Sequence, residues 1–392
     1  MKICIITIIG KQLNDNYGGV LQSYALNLFL NRNGFEAYTM DIFPASNRSI
    51  FFKLVHSFKR GNIAPIIKML LFKIFKRTNN INKELKRERE EKFIYFKIKH
   101  IKFTEESVNP FFIKNELFDL INRFDTLIVG SDQVWNPSLN EDILNFFLLN
   151  FPFSGKKISY AASIGIPIPK KLIRIYKKCL GNFNNLSVRE DESAKLLKDI
   201  LGVEVDVSID PVGLLDDEDW KSIMKCPELG ISNPYIFVYD LVRSSEIIPK
   251  INELCDKLGI GFINCKYIDV KERKKLRNLQ YSAYECGPEE FLWLLNNSEY
   301  VVSSSYHGVL LSIIFRKKFI AILPKKNIFS SMHSESRVLY LLNRLGLNHR
   351  SVYNVSNLSL DILNEKINYD DIKEKLDKFK YESISYLFKA LR

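Results

Sequence analysis

The sequence predicts an α/β protein built from two Rossmann-like, doubly wound domains that face each other across a cleft. Three observations lead there. Short β-branched runs alternate with helical periodicity along most of the chain, the pattern of parallel sheets covered on both faces. The alternation weakens between Leu214 and Asn233 and then restarts. A chain of 392 residues is also longer than one core usually serves. The predicted division is a first domain over 1–225, a second over 226–368, and a terminal helix over 369–392 that crosses back to the first.

The first series opens with Lys2 to Ile9, a run rich in β-branched residues that reads as a strand buried on both faces. A polar loop from Gly10 to Gly19 leads into a helix carrying Val20, Leu21, Tyr24, Ala25, Leu28 and Phe29. Gly34 closes that helix, and Phe35 to Asp41 reads as the second strand, completing a βαβ unit. The loop has neither the dinucleotide fingerprint nor a P-loop. Further strands are predicted at Thr126–Val129, Lys157–Tyr160, Asn185–Val188 and Glu204–Val207, with helices near 168–180 and 190–200. The second series predicts strands at Tyr235–Tyr239, Gly261–Cys265, Glu299–Ser303 and Phe319–Leu323. Its helices fall near 244–258, 288–296, 306–315 and 336–345.

A basic segment, predicted to be a helical insert over about 48–102, interrupts the first series. The whole chain carries a net charge of +12. Between Lys53 and Lys102 there are 15 Lys or Arg against 4 Glu, a net of +11. The segment reads either as a solvated hairpin or as a peripheral contact with anionic membrane through residues 53–102. No nucleic-acid motif accompanies the charge. The six cysteines are scattered without metal-ligand spacing, so no metal site is expected. No signal peptide and no apolar run of spanning length is visible. A cytoplasmic location is expected, with the inner face of the plasma membrane as its extension.

Function is sought where strands end, because open parallel sheets bind ligands beyond their carboxyl ends. Ser303-Ser-Ser-Tyr-His-Gly308 joins a buried strand to an apolar helix whose first N–H groups favour an anion. His307 in its first turn is either a proton-transfer group or a satisfied structural histidine. Asp132 and Gln133 sit in a second such turn. Asp132 would bind or activate a hydroxyl, or merely cap the turn. Trp135 would offer an apolar face for a sugar, or belong to the core. Asn16, Tyr17 and Gly18 stand in the first loop, and Arg189 heads an acidic helix start.

Taken together, seven segments resemble the polysaccharide pyruvyl transferase family. They are Asn16-Tyr-Gly-Gly-Val-Leu-Gln-Ser-Tyr-Ala-Leu26, Gly130-Ser-Asp-Gln-Val-Trp-Asn-Pro137, Tyr160-Ala-Ala-Ser163, Ser187-Val-Arg-Glu190, Asp210-Pro211, Ser305-Tyr-His-Gly308, and the run from Ser336-Arg337-Val338 to Leu345-Gly346-Leu347. The resemblance runs from the first strand to about residue 350 and implies a GT-B-like fold. It implies transfer of a pyruvyl group from phosphoenolpyruvate, a donor substrate rather than a cofactor, onto sugar hydroxyls as a ketal. The acceptor would be a glycan or lipid-linked oligosaccharide of a cell-surface polysaccharide. In better-known members an Arg stands two residues before the active-site His; here Ser305 occupies that position. Arg189 matches the family's other donor-contacting Arg, and Arg337 is our own candidate for a second cation.

The expected site therefore has His307 and Asp132 as catalytic groups. Arg189, Ser305, Tyr306, Arg337, Asn16, Tyr17, Gly18, Gln133 and Trp135 would bind substrate. Two other functions fit the same sequence: a nucleotide-sugar glycosyltransferase of the same build, and a non-catalytic glycan-binding relative.

Overall fold

A computed structural model describes residues 1–13, 15–43, 83–111, 115–232, 234–241, 243–268, 270–324 and 332–392. The first domain contains a five-stranded parallel sheet. Its strands are β1 (Lys2–Ile6), β2 (Glu36–Ile42), β3 (Phe103–Val108), β4 (Thr126–Val129) and β5 (Lys156–Ser159), in the order β3-β2-β1-β4-β5. Single bridges from Ile158 to Asn185 and from Ala162 to Val188 carry it on to a short parallel pair, β6 (Ser187–Val188) and β7 (Asp206–Val207). In the second domain β8 (Tyr235–Tyr239), β9 (Gly261–Asn264), β10 (Leu279–Ser282), β11 (Tyr300–Ser303), β12 (Lys318–Ile322) and β13 (Ser351–Val352) form another parallel sheet. Their order is β10-β9-β8-β11-β12-β13.

Strand order reverses between β1 and β4 in one sheet and between β8 and β11 in the other. Crevices form at such switch points, and the four strand ends concerned lead into Thr7, Ser131, Asp240 and Ser304. β1 stops at Ile6, short of the expected Ile9, because Thr7 turns to donate from Oγ1 to the Ser131 carbonyl (3.0 Å). β3, β10 and β13 were not expected. β3 is an edge strand with three exposed residues in its middle, Glu105, Glu106 and Ser107, so it lacks the apolar run that marks its neighbours.

The two domains meet through apolar contact. One buried cluster joins Ile3, Val20 and Ile209 of the first domain to Tyr239, Phe291 and Val309 of the second. The helix Tyr369–Leu391 crosses between them. Its Phe379 meets Tyr340 of the second domain, while Tyr386 Oη donates to the Ser159 carbonyl of the first (2.8 Å).

Of the basic segment, residues 53–82 lie outside the described residues. The remainder is the helix Lys83–His100, and it packs where the domains meet. Arg89 is buried there. Its Nη1 donates to Tyr17 Oη (2.9 Å) and to the Tyr284 carbonyl (2.6 Å), while Nη2 and Nε reach Asp15 (2.8 and 3.2 Å). Lys92 pairs with Glu290 at 3.0 Å, and Lys99 and His100 pair with Glu289 at 3.0 and 2.8 Å. Lys92 and Lys99 therefore have partners within the protein, and the helix ties the domains together. Among the described residues no helix is long and apolar enough to cross a membrane.

Candidate active site

The first domain's part of the site begins at Gly130. Its φ of +121° and the Tyr160 carbonyl, 2.2 Å from where a Cβ would stand, require glycine. The turn that follows places Ser131 under β5. Ser131 Oγ lies 2.9 Å from the Ala161 carbonyl and 3.1 Å from Asp210 Oδ2, and it accepts from Arg189 Nη2 at 2.5 Å. Asp132 follows with a left-handed φ of 76°, which an aspartate tolerates better than most side chains. Its Oδ1 is 4.0 Å from Arg189 Nη2.

Arg189 enters directly after β6, and Asp210 enters after β7 through Ser208 and Ile209. Both are fully buried, with Arg189 Nη2 and Asp210 Oδ2 2.9 Å apart. Asp210 starts the 3-10 turn Pro211–Leu214 and accepts from Val212 N–H through Oδ1 at 2.9 Å. That leaves Oδ2 facing the site.

The second domain contributes the helix Tyr306–Ile314. Ser305 is its N-cap, accepting from Gly308 N–H at 3.5 Å. His307 stands in the first turn, and its Nε2 is 3.4 Å from Asp210 Oδ2. On its other side the imidazole presses against Gly18, where a Cβ would stand 2.1 Å from Nδ1. The Arg189 guanidinium lies 5.1 Å above the Tyr306 ring. Arg337 arrives from the helix Met332–Leu345, and the Gln133 side-chain amide stands 3.0 and 2.7 Å from its Nη1 and Nη2, a contact that makes hydrogen bonds only with the amide oxygen turned towards the guanidinium.

Charge in this cluster is strongly coupled. Burial would raise the Asp210 carboxyl, but Arg189 and then His307 outweigh it and hold the group below the usual carboxylate range. Burial works against the Arg189 cation, yet Asp210 and Asp132 more than restore it. Arg337 is pushed the other way, by burial and then by Arg189. Tyr306 is raised by burial and by Asp210, and so stays a neutral hydroxyl.

His307, Arg189, Asp132, Gln133, Tyr306, Ser305, Gly18 and Arg337 thus meet at one place. Three expectations are corrected. Tyr17 and Gly18 do not stand in the first loop but open the helix Tyr17–Arg32, which Asn16 caps by accepting from Gly18 N–H at 2.9 Å. Tyr17 is buried, stacked on Phe291 at 4.1 Å, and donates to the Cys286 carbonyl at 2.6 Å, so it presents nothing to a ligand. Trp135 is 0% exposed, with Nε1 donating to the Phe147 carbonyl, and is core rather than a sugar platform. Asp210 and Ser131 were missing from the expected site. The signal for Asp210 was available, an Asp-Pro pair just past a strand, but a turn cap and a site residue look alike in sequence.

Among the described residues no group of three His, Cys, Asp or Glu could hold a metal ion. The chemistry available is that of a buried carboxylate–imidazole pair beside two guanidiniums: proton transfer together with anion binding.

Comparisons with known proteins complete the description. The family model for polysaccharide pyruvyl transferases matches residues 16–326. Among curated proteins no sequence matches. A protein assigned as a UDP-N-acetylglucosamine 2-epimerase from Listeria monocytogenes is 11% identical with a TM-score of 0.50, covering 97% of this chain and 90% of that one. UDP-GlcNAc 2-epimerase from Neisseria meningitidis, bound to UDP-GlcNAc, is 10% identical with a TM-score of 0.48, covering 98% and 94%. An alpha-glucosyltransferase in complex with UDP-glucose and DNA is 13% identical with a TM-score of 0.48, covering 99% and 95%. At such identities the likeness is one of fold, and that fold is GT-B.

Proposed function

The chain belongs to the polysaccharide pyruvyl transferase family, and we propose that it transfers the pyruvyl group of phosphoenolpyruvate to two hydroxyls of a sugar, forming a ketal and releasing phosphate. The family makes it a transferase acting on polysaccharide; the donor and the ketal are our reading. The observation that carries it is the Asp210 carboxylate, which meets Arg189 at 2.9 Å within its own domain and His307 at 3.4 Å across the boundary.

In this reading phosphoenolpyruvate enters while the domains are apart, because Arg189 and His307 are buried in the closed form. His307 delivers a proton to C3 of the enol phosphate, turning the methylene into a methyl and C2 into an oxocarbenium centre. One sugar hydroxyl adds to C2 and gives up its proton to the base so created. The C2–O bond to phosphate then breaks, the guanidiniums stabilise the departing charge, and a second hydroxyl closes the ketal as its proton leaves with phosphate. Asp210 keeps the imidazole oriented, and Asp132 accepts a hydrogen bond from an acceptor hydroxyl. No cofactor or metal is used. The acceptor is a glycan or lipid-linked oligosaccharide, which places the reaction at the cytoplasmic face of the membrane.

The test is phosphate release from phosphoenolpyruvate with a panel of oligosaccharide acceptors. His307→Ala is expected to abolish it without lowering the melting temperature by more than a few degrees. Full turnover in that variant would remove His307 from the chemistry. Stabilisation of the wild type by nucleotide sugars but not by phosphoenolpyruvate would replace pyruvyl transfer with glycosyl transfer.

A further inference from the structure

The helix Lys170–Leu180 of the first domain carries five cations and no acid. At about 100° per residue, Lys170, Lys171, Arg174, Lys177 and Lys178 fall within one arc of about 120°. All five are exposed, and none forms an ion pair among the described residues. On three other helices the exposed cations stand one turn from a carboxylate: Lys86 with Glu90, Arg87 with Glu91, Lys195 with Asp191, and Lys375 with Asp371. Folding alone does not account for the unpaired stripe. Lys170 and Lys171 stand in the first turn, where the helix dipole disfavours cations. Arg174 lies three or four residues from each of the other four, spacings at which like charges oppose the helix. Ile173, 36% exposed, borders the same arc. The opposite face is buried through Tyr176, Cys179 and Leu180, and Tyr176 Oη donates to the Trp135 carbonyl at 2.6 Å. The helix is thereby fixed to the turn that holds Asp132 and Gln133.

We infer that this face docks on a bilayer surface rich in anionic lipid, with the five cations on the headgroups and Ile173 at the boundary with the acyl chains. The charge complementarity is with a plane: the cations lie along about 16 Å of one helix and share one side of it. Each lysine or arginine near such a surface contributes about fivefold in affinity through the negative surface potential. An apolar side chain bordering the cations matches a helix that lies in the interface plane. Nucleic acid suits the face less well, because it offers no amide to read a base edge and no ring to stack on one, Tyr176 being buried. The surface is separate from the basic segment at 53–102. Because Tyr176 fixes the helix to the Trp135 turn, docking also sets how the Asp132 side of the site is oriented to the membrane. The docking itself does not rest on the pyruvyl-transfer reading.

Sedimentation of the full-length protein with vesicles tests this. The wild type is expected to bind vesicles of phosphatidylglycerol mixed with phosphatidylcholine, to ignore pure phosphatidylcholine, and to release as salt screens the charges. Lys170→Gln, Arg174→Gln and Lys178→Gln combined should weaken binding at least tenfold with no fall in melting temperature. The pair Lys171→Gln and Lys177→Gln serves if the triple variant folds poorly. Ile173→Ser should weaken binding severalfold at high salt, where the apolar contact carries more of it. Lys86→Gln with Arg87→Gln, on the helix Lys83–His100 where both are paired, should bind as the wild type does. Undiminished vesicle binding in the triple variant or its substitute overturns the inference, as does a wild type that binds neither kind of vesicle. An equal loss in the Lys86 and Arg87 variant reduces the effect to overall charge and also overturns it. A wild type that prefers an RNA oligomer to the vesicles, through the same five residues, replaces the membrane with nucleic acid. None of these measurements reads turnover, so their failure leaves pyruvyl transfer standing.

Discussion

Gly18 of the first domain and His307 of the second touch so closely that no side chain fits between them. A Cβ on Gly18 would stand 2.1 Å from His307 Nδ1. Together with Asp210 on the other side, Gly18 leaves the imidazole a single place to sit when the domains are closed. The first turn of one helix thus sets the position of a ring carried by another.

Gly18→Ala tests this contact. The residue has no left-handed φ, and alanine is the better helix former by about 1 kcal/mol, so the helix itself should not suffer. The added methyl must instead displace His307 or hold the domains apart. Small-angle scattering should show a larger radius of gyration, and phosphate release should fall at least tenfold. Unchanged scattering and turnover would mean that the ring yields freely.

Asp210→Asn would leave Arg189 buried beside a neutral amide. Breaking a buried pair in this way is expected to cost about 3–5 kcal/mol at neutral pH. Because the folded state holds the Asp210 carboxyl below its ordinary value, that stabilisation is fully present above about pH 4 and is lost as the pH falls towards the folded value. Urea unfolding at a series of pH values should show a constant gap between wild type and variant from pH 7 to 5, narrowing below pH 4. A gap that widens on acidification would contradict the assignment.

Lys97 gives a test on the alkaline side. It is buried in the helix Lys83–His100, donates to the carbonyls of Gly10 and Leu13 at 3.0 Å, and is lowered by burial to about 8. An unfolded lysine titrates near 10.4, so between the two values the unfolded chain binds more protons and stability rises with pH. Relative to Lys97→Met, the wild type should gain up to about 3 kcal/mol between pH 7.5 and 10.5. Parallel stability curves would show that Lys97 reaches water.

Much of the scaffold was legible because its determinants are local. Thr126–Val129 and Tyr235–Tyr239 are wholly buried strands, and each is an uncharged run of β-branched, aliphatic or aromatic residues in the sequence. Pro288 and Ser305 mark helix starts through their own backbone chemistry. Phe103–Val108 escaped notice because an edge strand can carry glutamates. Trp135 and Tyr17 were misjudged because an aromatic ring next to a polar turn looks the same whether it faces water or core.

By itself, then, the sequence determined the two alternating series, the helix caps and the turns at the strand ends, all features set by neighbouring residues. Tertiary structure alone decided that Asp210 pairs with both Arg189 and His307, that Gly18 must lack a side chain, and that the Lys83–His100 helix ties the domains together. Those relations join residues far apart in the chain, and they arise from sheet order and from apolar contact between domains. Neither leaves a local mark on the residues that it brings together.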